Sequence, residues 1–487
     1  MDYLAQVTSP ATIFLELWKI IQEITTSNLT NATPPQEAFS RSVKKILELD
    51  DAVTAYDNLR SVLLSIQKLR LVSERNGQII AVMQCIDEIF LRIHPRSVTL
   101  SSSVARRPNI PEWLKLHRSR RFDRGFYEEI DGFRLIPRGP LMRHERHALD
   151  SGGTNLPDCF SAVGVSSSIM EHSGQKITVI QKVVGTDQLR GVTLGSQTGK
   201  ELILFVPVAE DSGDIEISHQ VRNKKDFLTF DLNKSVNVVD RMVGAIQKVE
   251  VIDIAIAPEF TISEENADNF ATRLASIKTN KPRITVCGSG NTTGKQDGLP
   301  LNEARVINAS GHTLWRQQKI LQSGLSVELA KKLKIFGTSG FAFEDNASAT
   351  QINIVDIEGL GRCAILICQD LKTNPLAFNL VTQFQPDWIF VPILDSGADI
   401  GRWAHTDCVE LSKKSKSRFL IACSMSFGLR LDPSSSPVFG LGMGPYDDGG
   451  KGLGRLVKPV FANKFNAPDA TIKWGDGTWQ QTTITAI

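Results

Sequence analysis

The sequence predicts an α/β protein whose sheets lie between other layers, preceded by a separate helical region. Two observations carry this expectation. Residues 251–257, 283–290, 361–368 and 418–424 are short, dense, β-branched apolar runs, the kind that fill strands covered on both faces. Residues 1–95 instead place apolar side chains three and four apart, the helical period. A chain of 487 residues can hold two or three domains with ample core. The expected division is a helical domain over 1–100, a connecting region over 101–198 and a sheet-bearing domain over 199–487.

In the helical region one helix is expected over 14–24, closed by Thr25-Thr26-Ser27-Asn28. Pro34-Pro35 marks a loop. A long amphipathic stretch follows, carried by Val43, Ile46, Leu47, Val53, Tyr56, Leu63 and Ile66, and a further helix over 79–93 ends at His94-Pro95. Residues 106–146 mix basic and aromatic side chains, including Arg106, Arg107, Trp113, Arg120, Arg121, Phe122 and Phe126. Such mixtures can contact nucleic acid. Glu112, Asp123, Glu128, Glu129 and Asp131 dilute the patch, and a solvated or bridging segment is the commoner outcome. His144 and His147 have no nearby cysteine and read as a surface pair rather than a metal site. Residues 150–200 are rich in Ser, Gly and Thr, with a strand-like stretch over 176–184.

Global properties narrow the function class. A net charge of +2 gives no general pull toward nucleic acid or membrane. Seven cysteines without paired CxxC spacing suit a reducing compartment better than a disulfide scaffold. No apolar run reaches the length of a membrane span, and Asp2 stands where a leader would be basic, so a cytoplasmic location is expected.

The chemistry is expected at the ends of three strand-like runs. Residues 251–257 stop at Pro258, which cannot donate to a ladder, and leave Glu259 at a strand terminus. Residues 283–290 lead into 302–308, the turn Ala309-Ser310-Gly311-His312 and then 313–319, a hairpin that delivers Lys319 at its far end. The run 361–368 ends in Cys368, followed by Gln369-Asp370. A lone buried cysteine is usually a small hydrophobe. A carboxylate, an ammonium and a thiol at three strand ends are what acyl transfer needs: base, electrostatic stabiliser and nucleophile. Cys363 is an odd number of residues from Cys368 in the same run and points to the other face, while Cys287 and Cys423 read as core.

Ala257-Pro258-Glu259, Arg316-Gln317-Gln318-Lys319 and Leu366-Ile367-Cys368-Gln369-Asp370 resemble, in order and spacing, the three signature blocks of the carbon–nitrogen hydrolase (nitrilase and aliphatic amidase) superfamily. Residues 202–208 are similar to its first strand and 231–249 to its first helix, with Asn237 near the usual asparagine. Residues 385–392 and 418–424 are similar to the two strands after the nucleophile. The resemblance covers roughly 200–487 and implies a four-layer α-β-β-α sandwich, completed by dimerisation, with no cofactor or metal.

It also implies roles. Glu259 takes the Cys368 proton, and Lys319 with the backbone N–H of Gln369 stabilises the charge developing on the substrate. Lys319 is expected to lower the thiol pKa as well. For the family's second glutamate, Glu328 is the closest match and Glu344 a poorer one. The implied substrate is a small amide, in preference to a nitrile, and the implied assembly a homodimer or larger homo-oligomer. Departures from the family pattern lie at Gln369, Lys372-Thr373-Asn374-Pro375 and Asp407-Cys408-Val409-Glu410. They motivate an alternative from another class: a sensing or oligomerising module whose N-terminal part contacts a partner or nucleic acid. The glycine-rich runs 440–444 and 447–454 lack the Gly-Lys-Ser/Thr of a phosphate loop and are expected in turns and a late hairpin.

Overall fold

A computed structural model describes residues 8–22, 31–93, 109–140, 156–189, 199–278, 281–335, 337, 340–446, 456–457, 460–462, 465–475 and 478–481. The chain divides into two compact units, Met1–Ile169 with Gln181–Val183, and Met170–Ile180 with Val184–Ile487. The first unit takes in much of the expected connecting region.

That unit contains helices Pro10–Ile21, Glu37–Leu47, Ala52–Gln67, Val72–Phe90 and Glu112–Arg124, and a small sheet of Glu128–Ile130, Phe133–Pro137 and Val163–Ser167. The first helix starts at Pro10 rather than at 14, since proline is tolerated in a first turn. Its expected stop at Thr25-Thr26-Ser27-Asn28 lies outside the described residues, as does His94-Pro95. The stretch read as one amphipathic run is two helices. Asp51 accepts from the Thr54 N–H at 2.8 Å and so starts a new helix there.

Phe14, Phe90, Trp113, Tyr127 and Phe160 fill the core of this unit. The carboxylate of Asp87, fully buried, accepts from the N–H groups of Ser161, Ala162 and Val163 at 2.7–2.9 Å. It fixes the sheet's third strand to the longest helix. Basic residues expected on a surface are partly consumed inside. Arg120 and Arg121 are buried, Arg120 pairs with Glu128 at 3.3 Å, and Arg134 pairs with Glu129 at 3.0 Å. Arg106, Arg107, His144 and His147 lie outside the described residues.

The second unit has the four-layer α-β-β-α architecture. One sheet orders Thr313–Gln318, Leu299–Asn308, Ile284–Gln296, Ile254–Ile256, Leu202–Phe205, Thr471–Gly475 and Thr478–Gln481. The other orders Val460–Ala462, Gly440–Met443, Arg418–Cys423, Trp388–Ile393, Gly361–Ile365, Gln351–Ile357, Gln175–Val184 and Ile169–His172. Each has a parallel centre. Ile254–Ile256 runs parallel to both neighbours, and Trp388–Ile393 runs parallel to Gly361–Ile365 and Arg418–Cys423. Helices Val238–Gln247 and Glu264–Ser276 pack together, the latter on the first sheet, and Leu376–Phe384 and Trp403–Lys414 pack together, the latter on the second. The first of these begins at Val238, not at 231, because the Asn237 side chain caps it by accepting from the Asp240 N–H at 3.1 Å.

The glycines of 440–444 are explained differently from the expectation. Gly440–Met443 is a strand, and a Cβ at Gly440 would sit 2.5 Å from the Phe205 ring. One at Gly442 would sit 2.5 Å from Ile472. Glycine lets the two sheets approach closely here. The run 447–454 lies outside the described residues. A further four-stranded sheet was not anticipated. It orders Gly324–Leu325, Ala342–Glu344, Lys225–Leu232 and Ile215–Arg222, the last two forming a hairpin inserted between the first strand and first helix. Among the described residues no helix is long and apolar enough to cross a membrane, and all seven cysteines are free thiols.

Candidate active site

Three strand ends meet in one buried cluster. After Ile254–Ile256 the chain turns through Pro258 and presents Glu259, with Phe260 at a positive φ of 55°. This turn is laid against the strand Ile284–Gln296. Ser289 donates its N–H to the Pro258 carbonyl at 3.1 Å and accepts at its own carbonyl from the Thr261 N–H at 3.0 Å. The contact is so close that a Cβ at Gly288, whose φ is +82°, would stand 2.2 Å from the Pro258 oxygen. The sequence Cys287-Gly288-Ser289-Gly290 is therefore what allows Glu259 its position.

Lys319 follows the strand Thr313–Gln318, as the hairpin pattern predicts. Cys368 follows Ile365 by a short extension and immediately precedes the helix Gln369–Lys372, with φ 48° and ψ −103°. Such a backbone is costly for a residue with a side chain and persists only where surrounding contacts enforce it. One enforcing contact is the bond from the Cys368 N–H to the Pro392 carbonyl at 2.9 Å. Another is Asp370, whose carboxylate accepts from Ile320 N–H at 3.1 Å, Leu321 N–H at 2.8 Å and Ile367 N–H at 3.3 Å. Asp370 thus ties the segment after Lys319 to the turn that carries Cys368.

The Lys319 ammonium lies between two carboxylates. It donates to Glu259 Oε1 at 2.8 Å and to both Glu344 oxygens at 2.7 and 2.6 Å. Burial by itself would lower its pKa, but Glu259, Glu344 and Cys368 outweigh that and raise it, which favours the charged ammonium. Glu259, with no exposed surface, also accepts from Asn302 Nδ2 at 2.9 Å and, on Oε2, from the Leu394 N–H at 3.0 Å. Burial pushes the Glu259 pKa up, Lys319 pulls it down, and Glu344 adds to the upward push; the net direction is upward. The Cys368 side chain is near enough to Glu259 to bear on its pKa.

The thiol departs from expectation. Burial raises its pKa well above the usual cysteine value, Glu259 adds to the rise, and the opposing effect of Lys319 does not cancel them. The resting sulfur is a thiol beside a base whose own proton affinity is raised. That favours proton transfer during attack over a preformed thiolate.

The expectation for Glu328 is corrected. It sits exposed in the first turn of the short helix Val327–Lys332, started by the Ser326 side chain. The carboxylate at Lys319 belongs to Glu344, which also accepts from the Ser323 N–H at 3.1 Å. Proximity in sequence misled here. Glu344 comes to the lysine because its strand, Ala342–Glu344, joins the inserted hairpin in parallel to Lys225–Leu232. Asn302 and Asp370 carried no expected role, although Asp370 at two residues past the cysteine was a visible signal. Cys363, Cys287 and Cys423 are buried with thiols pushed up by desolvation.

Aromatic rings line one side of the cluster. The Lys319 ammonium is 5.9 Å from the centre of the Phe260 ring, which packs on Phe230 at 5.2 Å, and Phe230 lies 6.5 Å from Phe427. Beyond Phe260 and Phe230 a cavity of about 840 Å³ is lined by Glu216, Asp231, Lys234, Asn237, Glu265 and Asn291 among others. Cys368, Lys319 and Glu344 are not part of its wall. Among the described residues no group of three or more His, Cys, Asp or Glu side chains could hold a metal ion.

No protein-family model matches the chain, and no curated protein matches it. Solved structures do. The chain is similar to Nit3 of Saccharomyces cerevisiae, from branch 10 of the nitrilase superfamily, at 13% identity over 55% of this chain and 93% of that one, with a TM-score of 0.35. It is similar to an amidase mutant from Nesterenkonia sp. AN1, which carries the acetamide moiety of fluoroacetamide at its active-site cysteine, at 14% identity over 58% and 93%, with a TM-score of 0.34. Both are nitrilase-superfamily proteins. A third is the glutamine-dependent NAD+ synthetase of Acinetobacter baumannii, at 14% identity and a TM-score of 0.33; 57% of this chain is covered, against 42% of that longer one.

Proposed function

We propose that the second unit is a Cys-Glu-Lys amidohydrolase that cleaves a non-peptide C–N bond, an amide in preference to a nitrile, through a thioester. The observation that carries this reading is the convergence of the Cys368 thiol, the Glu259 carboxylate and the Lys319 ammonium in one buried cluster. Glu259 accepts the Cys368 proton as sulfur attacks the carbonyl carbon. The oxygen takes up the electron pair and is stabilised by Lys319 Nζ–H and the Gln369 N–H. The pair returns, the C–N bond breaks, and the leaving amine takes the proton from Glu259. Water then gives a proton to Glu259 as its oxygen attacks the thioester, and that proton returns to sulfur as the acid departs. Glu344 holds Lys319 throughout.

Fluoroacetamide and a panel of short amides test the reading. The expected result is turnover of at least one amide, preferential labelling of Cys368 seen by intact and peptide mass, and loss of both in Cys368→Ala. Turnover unchanged in Cys368→Ala would overturn it. A homodimer or larger homo-oligomer belongs to the same proposal and is checked by light scattering.

One observation favours a second reading, a ligand-sensing module: the large polar cavity is walled without the reactive trio. It predicts that Cys368→Ala binds small polar ligands as the wild type does, with no turnover by either.

A further inference from the structure

Asn302 touches both charged partners of the candidate nucleophile. Its side-chain Nδ2 donates to Glu259 Oε1 at 2.9 Å, and its main-chain carbonyl accepts from the Lys319 N–H at 2.8 Å. The side chain is fully buried, and its Oδ1 has no hydrogen-bond partner. An orphaned buried acceptor is costly, so the amide is held this way by its donor side. Turned over, it would set an acceptor against Glu259 Oε1. Asn302 lies on Leu299–Asn308, opposite Asn291 of Ile284–Gln296, the strand against which the Glu259 turn is laid.

We propose that Asn302 is a positioning residue that fixes the Glu259 carboxylate through its amide and the Lys319 backbone through its carbonyl, keeping Glu259 ionised and aimed for proton transfer from Cys368. The inference rests on the amidohydrolase reading and adds a residue to it. Glu259 has three charged or titratable neighbours: Lys319 from the end of Thr313–Gln318, Glu344 from Ala342–Glu344 and Cys368 from its turn. Asp370 feels the Lys319 charge as well. Within that set the Asn302 amide is a neutral donor that favours the charged carboxylate without competing for the thiol proton. Losing it raises the Glu259 pKa, so the base is protonated up to a higher pH.

The test uses the full chain and iodoacetamide, whose reaction with Cys368 is followed by peptide mass from pH 4 to 10, approximately the span over which these groups titrate. In Asn302→Ala the acid limb of the rate profile should move up by about one pH unit, the size of one lost charge-assisted hydrogen bond. Asn302→Asp keeps the shape but replaces the donor with a second carboxylate, and should move the limb further in the same direction. Asn302→Ser, which can still donate, should lie between Asn302→Ala and the wild type. Circular dichroism confirms folding, and if Asn302→Ala does not fold, the other two decide. A wild-type acid limb in the folded variants overturns the inference alone, whatever happens to the absolute rate. A wild-type Cys368 that reacts no faster than Cys287 or Cys408 at any pH overturns the amidohydrolase reading and this inference together.

Discussion

At the scale of single residues, the candidate site is defined by where charge is held inside the protein. Lys319 sits between Glu259 and Glu344 with every short contact below 3 Å, and removing either carboxylate would leave a buried cation partly unpaired. Glu344→Gln should therefore lower amide turnover by about 10- to 100-fold through misplacement of Lys319, whereas Glu328→Gln should stay within about twofold, as exposed substitutions away from such contacts do. Steady-state kinetics on whichever amide is turned over distinguishes them, and equal effects would refute the assignment of Glu344. Glu259 and Cys368 were legible because each follows an apolar run, and Lys319 because it ends the second arm of a hairpin. Glu344 was not, because nothing local ties it to a lysine 25 residues away.

At the scale of elements, the site depends on two tight turns. The Glu259 turn needs the glycine at 288: alanine there must adopt a φ of +82° and overlap the Pro258 oxygen. The left-handed backbone alone costs about 1–2 kcal/mol, with the overlap in addition. Gly288→Ala should destabilise the protein by more than that figure and reduce Cys368 reactivity, as measured by urea unfolding and iodoacetamide labelling. The nucleophile turn depends on Asp370, which is buried and accepts from three main-chain N–H groups. Asp370→Asn replaces one acceptor by a donor facing donors. It should cost about 1–3 kcal/mol and lower turnover with KM little changed, since the pocket wall is untouched; a selective rise in KM would contradict this. The run Cys287-Gly288-Ser289-Gly290 announces a turn-like need in sequence, yet its cause is a neighbouring chain segment. The split of 43–66 into two helices was legible at Asp51, a capping residue type, once capping is weighed against periodicity.

At the scale of the whole molecule, one buried group in each unit contributes pH-dependent stability, and the two contributions have opposite sign. In the first, His117 donates its Nδ1–H to the Tyr127 carbonyl at 3.0 Å, which leaves Nε2 of the neutral ring to accept from Ser9 Oγ–H at 2.9 Å, and burial lowers its pKa from 6.5 to about 4. A base with a depressed folded pKa contributes stability above 6.5 that is lost as pH falls through 4, about 3 kcal/mol in full. In the second, burial raises Glu201 from 4.5 to about 7, against the opposing pull of the Gly199 N–H and Arg418. An acid with a raised folded pKa contributes stability below 4.5 that is lost as pH rises through 7, again about 3 kcal/mol. Glu201→Gln should flatten that fall, and His117→Gln the acid-side fall. Denaturant unfolding at pH 4, 5.5, 7 and 8.5, roughly bracketing both transitions, checks each slope, and an unchanged slope in either variant refutes its assignment.

The sequence by itself determined the layered α/β class of the second unit, the helical character of the first, and the three strand ends that present Glu259, Lys319 and Cys368. These are local properties: apolar runs fix strands, periodicity fixes helices, and a strand's end fixes where a side chain emerges. Only the tertiary structure decided which glutamate meets Lys319, that Asn302 and Asp370 join the cluster, that the glycines of 440–444 serve sheet-to-sheet approach, and that the Cys368 thiol is raised rather than lowered. Those depend on distances between segments remote in sequence and on how deeply charges are buried, which no local pattern encodes.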